Sequence, residues 1–370
     1  MKNNTMAILF AADAENHLND LTIHRTTASL PFGGRYRLID FALSNLVSAN
    51  ITKIGIITKN YNSLMDHIRQ GRDWDLNRKN GGISVYPPYV FNSSHDVYKG
   101  KIEALYTTRG FMLEASEEYV VIANTNIAFN IDFDEVEKFH IEKGADVTVL
   151  TYKVDDPIVR KVVVSADKNN RITDMRLAVD ADKGAQLCTL NIYFIKKDLL
   201  ISLVDTAYAY GYDDFERDIL QKSLDSLYVM NYEVKDYVAV IDRIPSYFKH
   251  SIELLDPKVR ESLFYKHSKI LTKVKDSVPA RYGVDSSVKN SIIADGCVIE
   301  GTVENSILFR SVKVGKGAVV RNSIVMEDGI IMENATLDYT ITDKDVIIKD
   351  GRHLSGHESY PMVVVKGKVI

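Results

Sequence analysis

Four short segments near the end of the chain repeat at nearly constant spacing: Asn-Ser-Ile-Ile at 290–293, Asn-Ser-Ile-Leu at 305–308, Asn-Ser-Ile-Val at 322–325 and Tyr-Thr-Ile-Thr at 339–342. Between them, aliphatic residues recur at short intervals (Ile293, Val298, Val303, then Val314, Val319, Ile324, Ile330), and glycines punctuate the turns at 296, 301, 315, 317 and 329. A helix carries so many Gly, Asn and β-branched residues only at a high cost in propensity. A solenoid of short parallel strands accommodates them, because each coil buries its aliphatic row on the next. Three sides of six residues make a coil of roughly 18, and trimmed corners bring this to the observed steps. The repeat predicts a parallel β-helix over 281–370, with a β-sandwich of chance repetition as the competing reading.

The preceding two thirds have a different texture. Short β-branched runs at 7–11, 54–58, 119–123, 147–152, 162–165, 190–195 and 237–241 read as strands. Amphipathic stretches at 41–49, 63–70, 102–115, 133–143 and 212–223 read as the helices between them. Alternation of this kind predicts an α/β domain over 1–250, Rossmann-like, with a mostly parallel sheet and helices on both faces. Ligands in such sheets bind at the carboxyl ends of the strands. Residues 251–280 read as a helical connector into the solenoid.

Bulk properties exclude several function classes. A net charge of −4 over 370 residues argues against a nucleic-acid footprint. Cys188 and Cys297 lack metal-ligand spacing and suit a reduced, cytoplasmic protein. The apolar run from Met6 to Ala12 is too short for a signal peptide, and no stretch approaches the ~20 apolar residues of a membrane span. The nine histidines are not expected to hold a metal, and the twenty tyrosines read as core and interface.

The densest motif is Pro31-Phe-Gly-Gly-Arg-Tyr-Arg-Leu-Ile-Asp-Phe-Ala-Leu-Ser-Asn45. Paired glycines let backbone approach a ligand closely, and the helix that follows offers its positive N-terminus. Gly-Gly alone is more often a turn. The whole block resembles the opening of sugar-phosphate nucleotidyltransferases, specifically bacterial glucose-1-phosphate adenylyltransferase. The resemblance continues through Trp74-Asp-Leu-Asn-Arg78, Gly81-Gly82 and Tyr86-Pro-Pro-Tyr89, which are similar to the family's nucleotide-proximal loops. Val97-Tyr-Lys-Gly-Lys-Ile-Glu-Ala-Leu-Tyr106 resembles its Trp-Tyr-Arg-Gly-Thr-Ala-Asp-Ala segment, and Asp214-Phe-Glu-Arg-Asp218 its Asp-Phe-Gly-Lys-Asp. The resemblance implies a nucleotidyltransferase domain followed by a left-handed parallel β-helix, with Gly33, Gly34 and Asp214 lining a substrate cleft.

The departures fall where the family's chemistry resides. Catalytic members open with Gly-Gly-x-Gly-x-Arg around the triphosphate; here the stretch is Ala12-Asp-Ala-Glu-Asn-His17, with carboxylates at Asp13 and Glu15 and His17 in place of arginine. Thr27 stands at the family's lysine, and the sugar-phosphate lysine has no counterpart near 176–179. The reaction joins the α-phosphorus of ATP to glucose 1-phosphate, expels pyrophosphate and relies on Mg²⁺ to neutralise charge. The two family aspartates that hold the ion correspond to Asn126 and Val240. A neutral amide is a poor Mg²⁺ ligand and an isopropyl group is none. The resemblance therefore implies no catalytic residue and no metal or cofactor held by this chain. The competing reading is an active enzyme whose metal ligands have moved to Asp132 and Asp242.

Some Gram-positive bacteria carry a second, non-catalytic type of subunit in this family, and the chain resembles that type. The resemblance implies a hetero-oligomer in which a catalytic partner subunit binds ATP and Mg²⁺ for glycogen synthesis, with self-association when this chain is alone. It further implies a phosphorylated-metabolite effector at His24, Arg25 and Arg37, whose guanidinium forks suit phosphate oxygens. A stand-alone binding or scaffold protein is the remaining alternative. A hexapeptide acyltransferase would need a histidine on the solenoid, and 284–350 contain none.

Overall fold

A computed structural model describes residues 4–11, 17–59, 62–87, 98–155, 161–180 and 182–370. Its largest element is a nine-stranded sheet. Thr5–Phe10 runs at the centre, parallel to Tyr119–Asn124 on one side and to Lys53–Ile57 on the other, with Gly82–Tyr86 parallel beyond. All six residues of Thr5–Phe10 are buried, as a strand covered on both faces requires. Ala7 and Leu9 face one hydrophobic layer with Leu43 and Ile56, while Met6, Ile8 and Phe10 face another with Ile122 and Tyr193. Beyond Tyr119–Asn124 the direction reverses. Ala185–Lys196 is antiparallel to it, and Val147–Asp155 pairs antiparallel with Ala185–Lys196 and parallel with Val229–Glu233.

Several elements differ from the sequence expectation. The run at 237–241 pairs only at Ala239–Val240, and with Ile127–Ala128 instead of the large sheet. It is cut short because Arg243 caps the helix Ile244–Glu253, with a proline in the first turn. The helix expected at 102–115 divides into Lys101–Thr107 and Arg109–Leu113; Thr108 Oγ1 bonds back to the Ala104 carbonyl at 2.9 Å, and Gly110 follows. The 212–223 stretch becomes a wide π-helical turn, Phe215–Leu220, followed by a 3-10 turn, Gln221–Ser223.

The connector is helical only as far as Pro257–Phe264. From there to Ala280 it has no helix or strand, because its backbone bonds laterally to the first domain. Ser268 N donates to Asn130 Oδ1 at 3.2 Å, Leu271 N to Ser44 Oγ at 2.9 Å and Val274 N to Asp73 Oδ1 at 3.3 Å. An extended strap can reach these scattered acceptors; a helix would turn its N–H groups inward.

The C-terminal region is the parallel β-helix expected from the repeat, left-handed as the family resemblance implies, with three five-stranded parallel sheets as its sides. The Asn-Ser pairs explain themselves at one corner. Asn290, Asn305 and Asn322 adopt positive φ of 42°, 46° and 43°, a conformation asparagine tolerates well. Their amides form a ladder, Asn290 to Asn305 at 2.8 Å and Asn305 to Asn322 at 3.4 Å. Each serine takes the next coil's backbone N–H: Ser306 N to Ser291 Oγ at 3.2 Å, Ser323 N to Ser306 Oγ at 3.1 Å, Thr340 N to Ser323 Oγ at 3.1 Å.

The two regions share a core in which Phe32, Phe41, Tyr247 and Phe264 pack with Ile307, Phe309, Ile324, Met326 and Ile341 of the β-helix. Among the described residues, no helix is long and apolar enough to cross a membrane.

Candidate functional site

The carboxyl ends of Thr5–Phe10, Lys53–Ile57 and Tyr119–Asn124 point to one edge of the sheet, where such domains bind ligands. Of the degenerate loop at 12–17, residues 12–16 lie outside the described residues, as do Pro88, Tyr89 and Val97 of the nucleotide-proximal motifs. His17 is exposed and forms a backbone bridge to Arg243. Thr27 is buried in a 3-10 turn.

Asn126 and Val240, distant in sequence, come to one short ladder, in which Val240 is paired with Ile127 and Asn126 is bonded to Ile241. Asn126 Nδ2 donates to the Ile241 carbonyl at 3.2 Å, and Ile241 N donates to the Asn126 carbonyl at 2.8 Å. The amide therefore ties two strands together, and the isopropyl group of Val240 is paired with Ile127. These two side chains do not fit Mg²⁺, which takes hard oxygen ligands. The carboxylates nearby are engaged elsewhere. Asp242 accepts from Ser246 Oγ at 2.8 Å and lies 3.8 Å from both Lys161 Nζ and Arg243 Nε. Asp132 caps the helix Phe133–Lys143, accepting from Asp134 N at 2.9 Å. Among the described residues no three His, Cys, Asp or Glu side chains converge as a metal site. His353 and His357, spaced four apart, lie on a strand and in the turn after it, where that spacing does not align two side chains as it would on a helix.

Sequence reasoning missed a largely buried charge pair at this edge. Lys101 stands where the family motif has threonine and Glu216 where it has glycine, and the two form an ion pair. The Tyr193 hydroxyl donates to the same carboxylate at 2.7 Å. Burial opposes the Glu216 charge, but Lys101 and Tyr193 outweigh it and hold the carboxyl below its usual range. Read singly, each replacement looks like drift; the signal was that one is a cation and the other an anion. Asp214 does not line this space with a free carboxylate. It caps the π-helical turn, accepting from Arg217 N at 2.7 Å.

Lys161 repeats the pattern. Its ammonium donates to Tyr152 Oη at 2.7 Å beside Asp242, and burial, partly offset by Asp242, lowers its pKa. Gly100 shows how tightly the 213–218 segment is seated: a Cβ there would stand 2.1 Å from the Asp213 carbonyl. Gly100→Ala is therefore expected to lower the unfolding free energy by about 1–3 kcal/mol, as overpacking does. An unchanged urea midpoint would show that the segment yields freely.

The structure seats Gly33 and Gly34 away from this edge. Both have positive φ, 61° and 86°, and form the turn of the hairpin Pro31–Phe32/Tyr36–Arg37. A Cβ on Gly33 would meet Phe264 and Leu254 of the connector region, and one on Gly34 would meet Ile292 and Ala294 of the β-helix. What the sequence suggested as close approach to a substrate is close approach of the two domains.

Arg25 and Arg37 come together at this domain interface. Arg25 is buried and its Nη2 donates to Asp343 Oδ1 of the β-helix at 2.8 Å. Arg37 donates to the Ser63 carbonyl at 2.6 Å, and burial lowers its pKa. His24 is exposed. Lys344 of the β-helix and Lys275 of the connector join around Glu327. Burial lowers the pKa of Lys344 against the opposing pull of Glu327, with Arg37 and Arg25 adding to the effect of burial; Arg25, Arg37, Lys275 and Lys344 thus gather around the carboxylates of Asp343 and Glu327. Burial disfavours the Glu327 charge, but Lys344, Lys275 and Arg37 overcome it and hold its carboxyl at about 2.

The sign of the resulting pH dependence follows. With the folded pKa below the unfolded one, the unfolded chain binds more protons between them, so stability rises with pH there. The Glu327 contribution is complete above about 4.5 and disappears as pH falls to about 2. Glu327→Gln is expected to flatten the unfolding midpoint over this window; an unaltered acid limb would contradict the assignment.

A domain of this topology carrying a coiled β-helix defines a nucleotidyl transferase with a hexapeptide-type C-terminal region. Residues 6–238 match the nucleotidyl transferase family and residues 259–359 the GlmU-like C-terminal hexapeptide family. The chain is 35% identical over 368 residues to glycogen biosynthesis protein GlgD of Bacillus subtilis, covering 99% of this chain and 97% of that protein. It is 39% identical over 321 residues to glycogen biosynthesis protein GlgD of Geobacillus stearothermophilus, covering 86% and 84%. To glucose-1-phosphate adenylyltransferase of Fervidobacterium nodosum it is 32% identical over 357 residues, covering 94% and 85%. The chain belongs to the glucose-1-phosphate adenylyltransferase family, which includes these GlgD relatives.

Proposed function

We propose that this chain acts in bacterial glycogen biosynthesis as a non-catalytic, modulatory subunit of glucose-1-phosphate adenylyltransferase, working in the cytoplasm on a catalytic partner subunit. Two relatives that it matches over most of their length bear the name glycogen biosynthesis protein. The observation that carries the non-catalytic reading is Asn126 and Val240 on one short ladder: an amide bonded to Ile241 and an isopropyl group paired with Ile127, where the family resemblance implies two metal-binding carboxylates. Lys101–Glu216 supports it, because a cation that could attract a phosphate is neutralised by the chain's own carboxylate. ATP and Mg²⁺ belong to the partner on this reading, and the chain binds no cofactor strongly.

A modulatory subunit acts by binding one conformation of its partner more tightly than another. A coupling of about 1–3 kcal/mol changes affinity five- to about 150-fold. The cations gathered around Arg37 and Lys344 support an effector phosphate at the domain interface, with His24 and Arg25 as its remaining family positions. In the test, the chain is titrated into a catalytic adenylyltransferase subunit while turnover, substrate affinity and effector response are followed. A shift in at least one is the expected result; no change in any of them would end the modulatory reading.

The active-enzyme alternative relies on Asp242 and Asp132. Asp242 is bonded to Ser246 and flanked by two cations, and Asp132 is a helix cap, so neither stands ready for a metal.

A further inference from the structure

Two basic side chains at the ligand-binding edge of the first domain keep hydrogen-bond donors that the fold leaves unused. Lys161 Nζ donates to Tyr152 Oη at 2.7 Å and stands 3.8 Å from Asp242 Oδ2, beyond hydrogen-bond reach. An ammonium has three donors, so two of them lack an acceptor among the described residues, on a side chain only 21% exposed. Arg243 Nε is buried without a partner, 3.8 Å from Asp242 Oδ1, and among the described residues its guanidinium donates no hydrogen bond.

Asp242 does not absorb both charges. Its carboxylate accepts from Ser246 Oγ at 2.8 Å, at the positive end of the helix Ile244–Glu253. Two cations to one carboxylate leave a cation in excess, whereas Lys101 and Glu216 balance one to one.

Both cations stand beside the ladder where the family resemblance implies a metal. Asp242 and Arg243 follow Ile241, which is bonded to Asn126 in both directions. Lys161 lies across from Ala178, whose N–H donates to the Lys161 carbonyl at 2.7 Å, and residues directly opposite in antiparallel strands share a face. The neighbouring strand thus brings a lysine to the face where the 176–179 segment has none.

We infer that Lys161 and Arg243 form an anion site for the phosphate group of a phosphate monoester, bound without a metal ion. The guanidinium fork matches two phosphate oxygens, and the ammonium acts as a point charge beside it. Asn126 and Val240 give a divalent cation no anionic oxygen, so the chain's own cations neutralise the ligand. The inference rests on the family reading for the place of this edge, and not on whether the chain modulates a partner.

The test is isothermal titration calorimetry of the full-length chain with glucose 1-phosphate, and separately with inorganic phosphate, in EDTA and then with Mg²⁺. Saturable binding in EDTA is expected, weakened at least about tenfold by Lys161→Met and by Arg243→Gln. Lys153→Met, which removes a 66% exposed lysine of the same sheet, is expected to change nothing. Thermal unfolding of each variant checks the fold, and the more exposed Arg243 supplies the decisive variant if Lys161→Met does not fold. Affinity for inorganic phosphate at or above that for the ester assigns the site to the phosphate group alone. Tighter binding of the ester assigns it to a sugar phosphate, and either result supports the inference. Titration into a catalytic subunit tests the modulatory reading separately, so the two can fail independently. Binding of neither probe, binding that requires Mg²⁺, or affinity indifferent to both variants would overturn the anion site.

Discussion

Arg25→Ala is expected to lower the stability of the chain by about 3–5 kcal/mol, the cost of removing one partner of a buried ion pair. Arg25 and Asp343 are 4% and 1% exposed, and they join the first domain to the β-helix across 318 residues of sequence. The truncation leaves the Asp343 carboxylate buried with its bond from Lys344 N but without its paired guanidinium, and that loss accounts for most of the effect. Removing both groups is far less damaging, so Arg25→Ala combined with Asp343→Leu is expected to recover much of the stability. Because the pair spans the interface, the single variant is also expected to separate unfolding into two transitions. Calorimetry checks both; a single transition with a midpoint like that of the parent would show that the apolar cluster around Phe309 and Tyr247 holds the domains without the pair.

Turnover of ATP and glucose 1-phosphate by the isolated chain is expected to lie at least about 10³-fold below that of a catalytic family member. Each tenfold in rate corresponds to about 1.4 kcal/mol of transition-state stabilisation, and a metal ion at a transferring phosphoryl group contributes several. The chain has Asn126 and Val240 where the family resemblance implies metal-binding carboxylates, and Lys101 is neutralised by Glu216. Asn126→Asp with Val240→Asp is expected to create a Mg²⁺ response in thermal stability, about 2.7 kcal/mol at a hundred times the dissociation constant. Pyrophosphate release is expected to stay low in that variant, since the loop and the charge pair are unchanged. A Mg²⁺ response already present in the parent would place a metal site elsewhere.

Much of the fold could be read from the sequence because its signals are periodic. The Asn-Ser-Ile repeat carries its own geometry: asparagine for the left-handed corner, serine for the next coil's N–H, isoleucine for the contact with the first domain and the aliphatic residue after it for the interior. Buried strands such as Thr5–Phe10 are continuous apolar runs and stand out equally. Edge and half-buried strands do not. Ile172–Leu177 alternates buried and doubly exposed positions around Asp174 and Arg176 and has no run to detect. The helix Lys197–Ala209 follows directly on a strand, and the change from period 2 to period 3.6 has no turn residue to mark it, only Lys196-Lys-Asp198.

The candidate site was legible as a set of absences and opaque as a set of partners. Motif comparison placed Asn126 and Val240 at the metal positions, and their place on one ladder comes only from the Ile127–Val240 pairing. Gly33 and Gly34 illustrate the opposite limit, since Gly-Gly signals close backbone approach without saying to what; here the neighbours are Phe264 and Ile292. Arg25 could be recognised as a basic family position, but its dependence on Asp343 required the β-helix to be folded against the first domain.

The most direct test of the non-catalytic reading is pyrophosphate release by the purified chain with ATP, glucose 1-phosphate and Mg²⁺, measured alone and then with a catalytic subunit. The expected result is no release alone and an altered rate in the mixture. Robust release by the chain alone would contradict it and turn attention to Asp242 and Asp132.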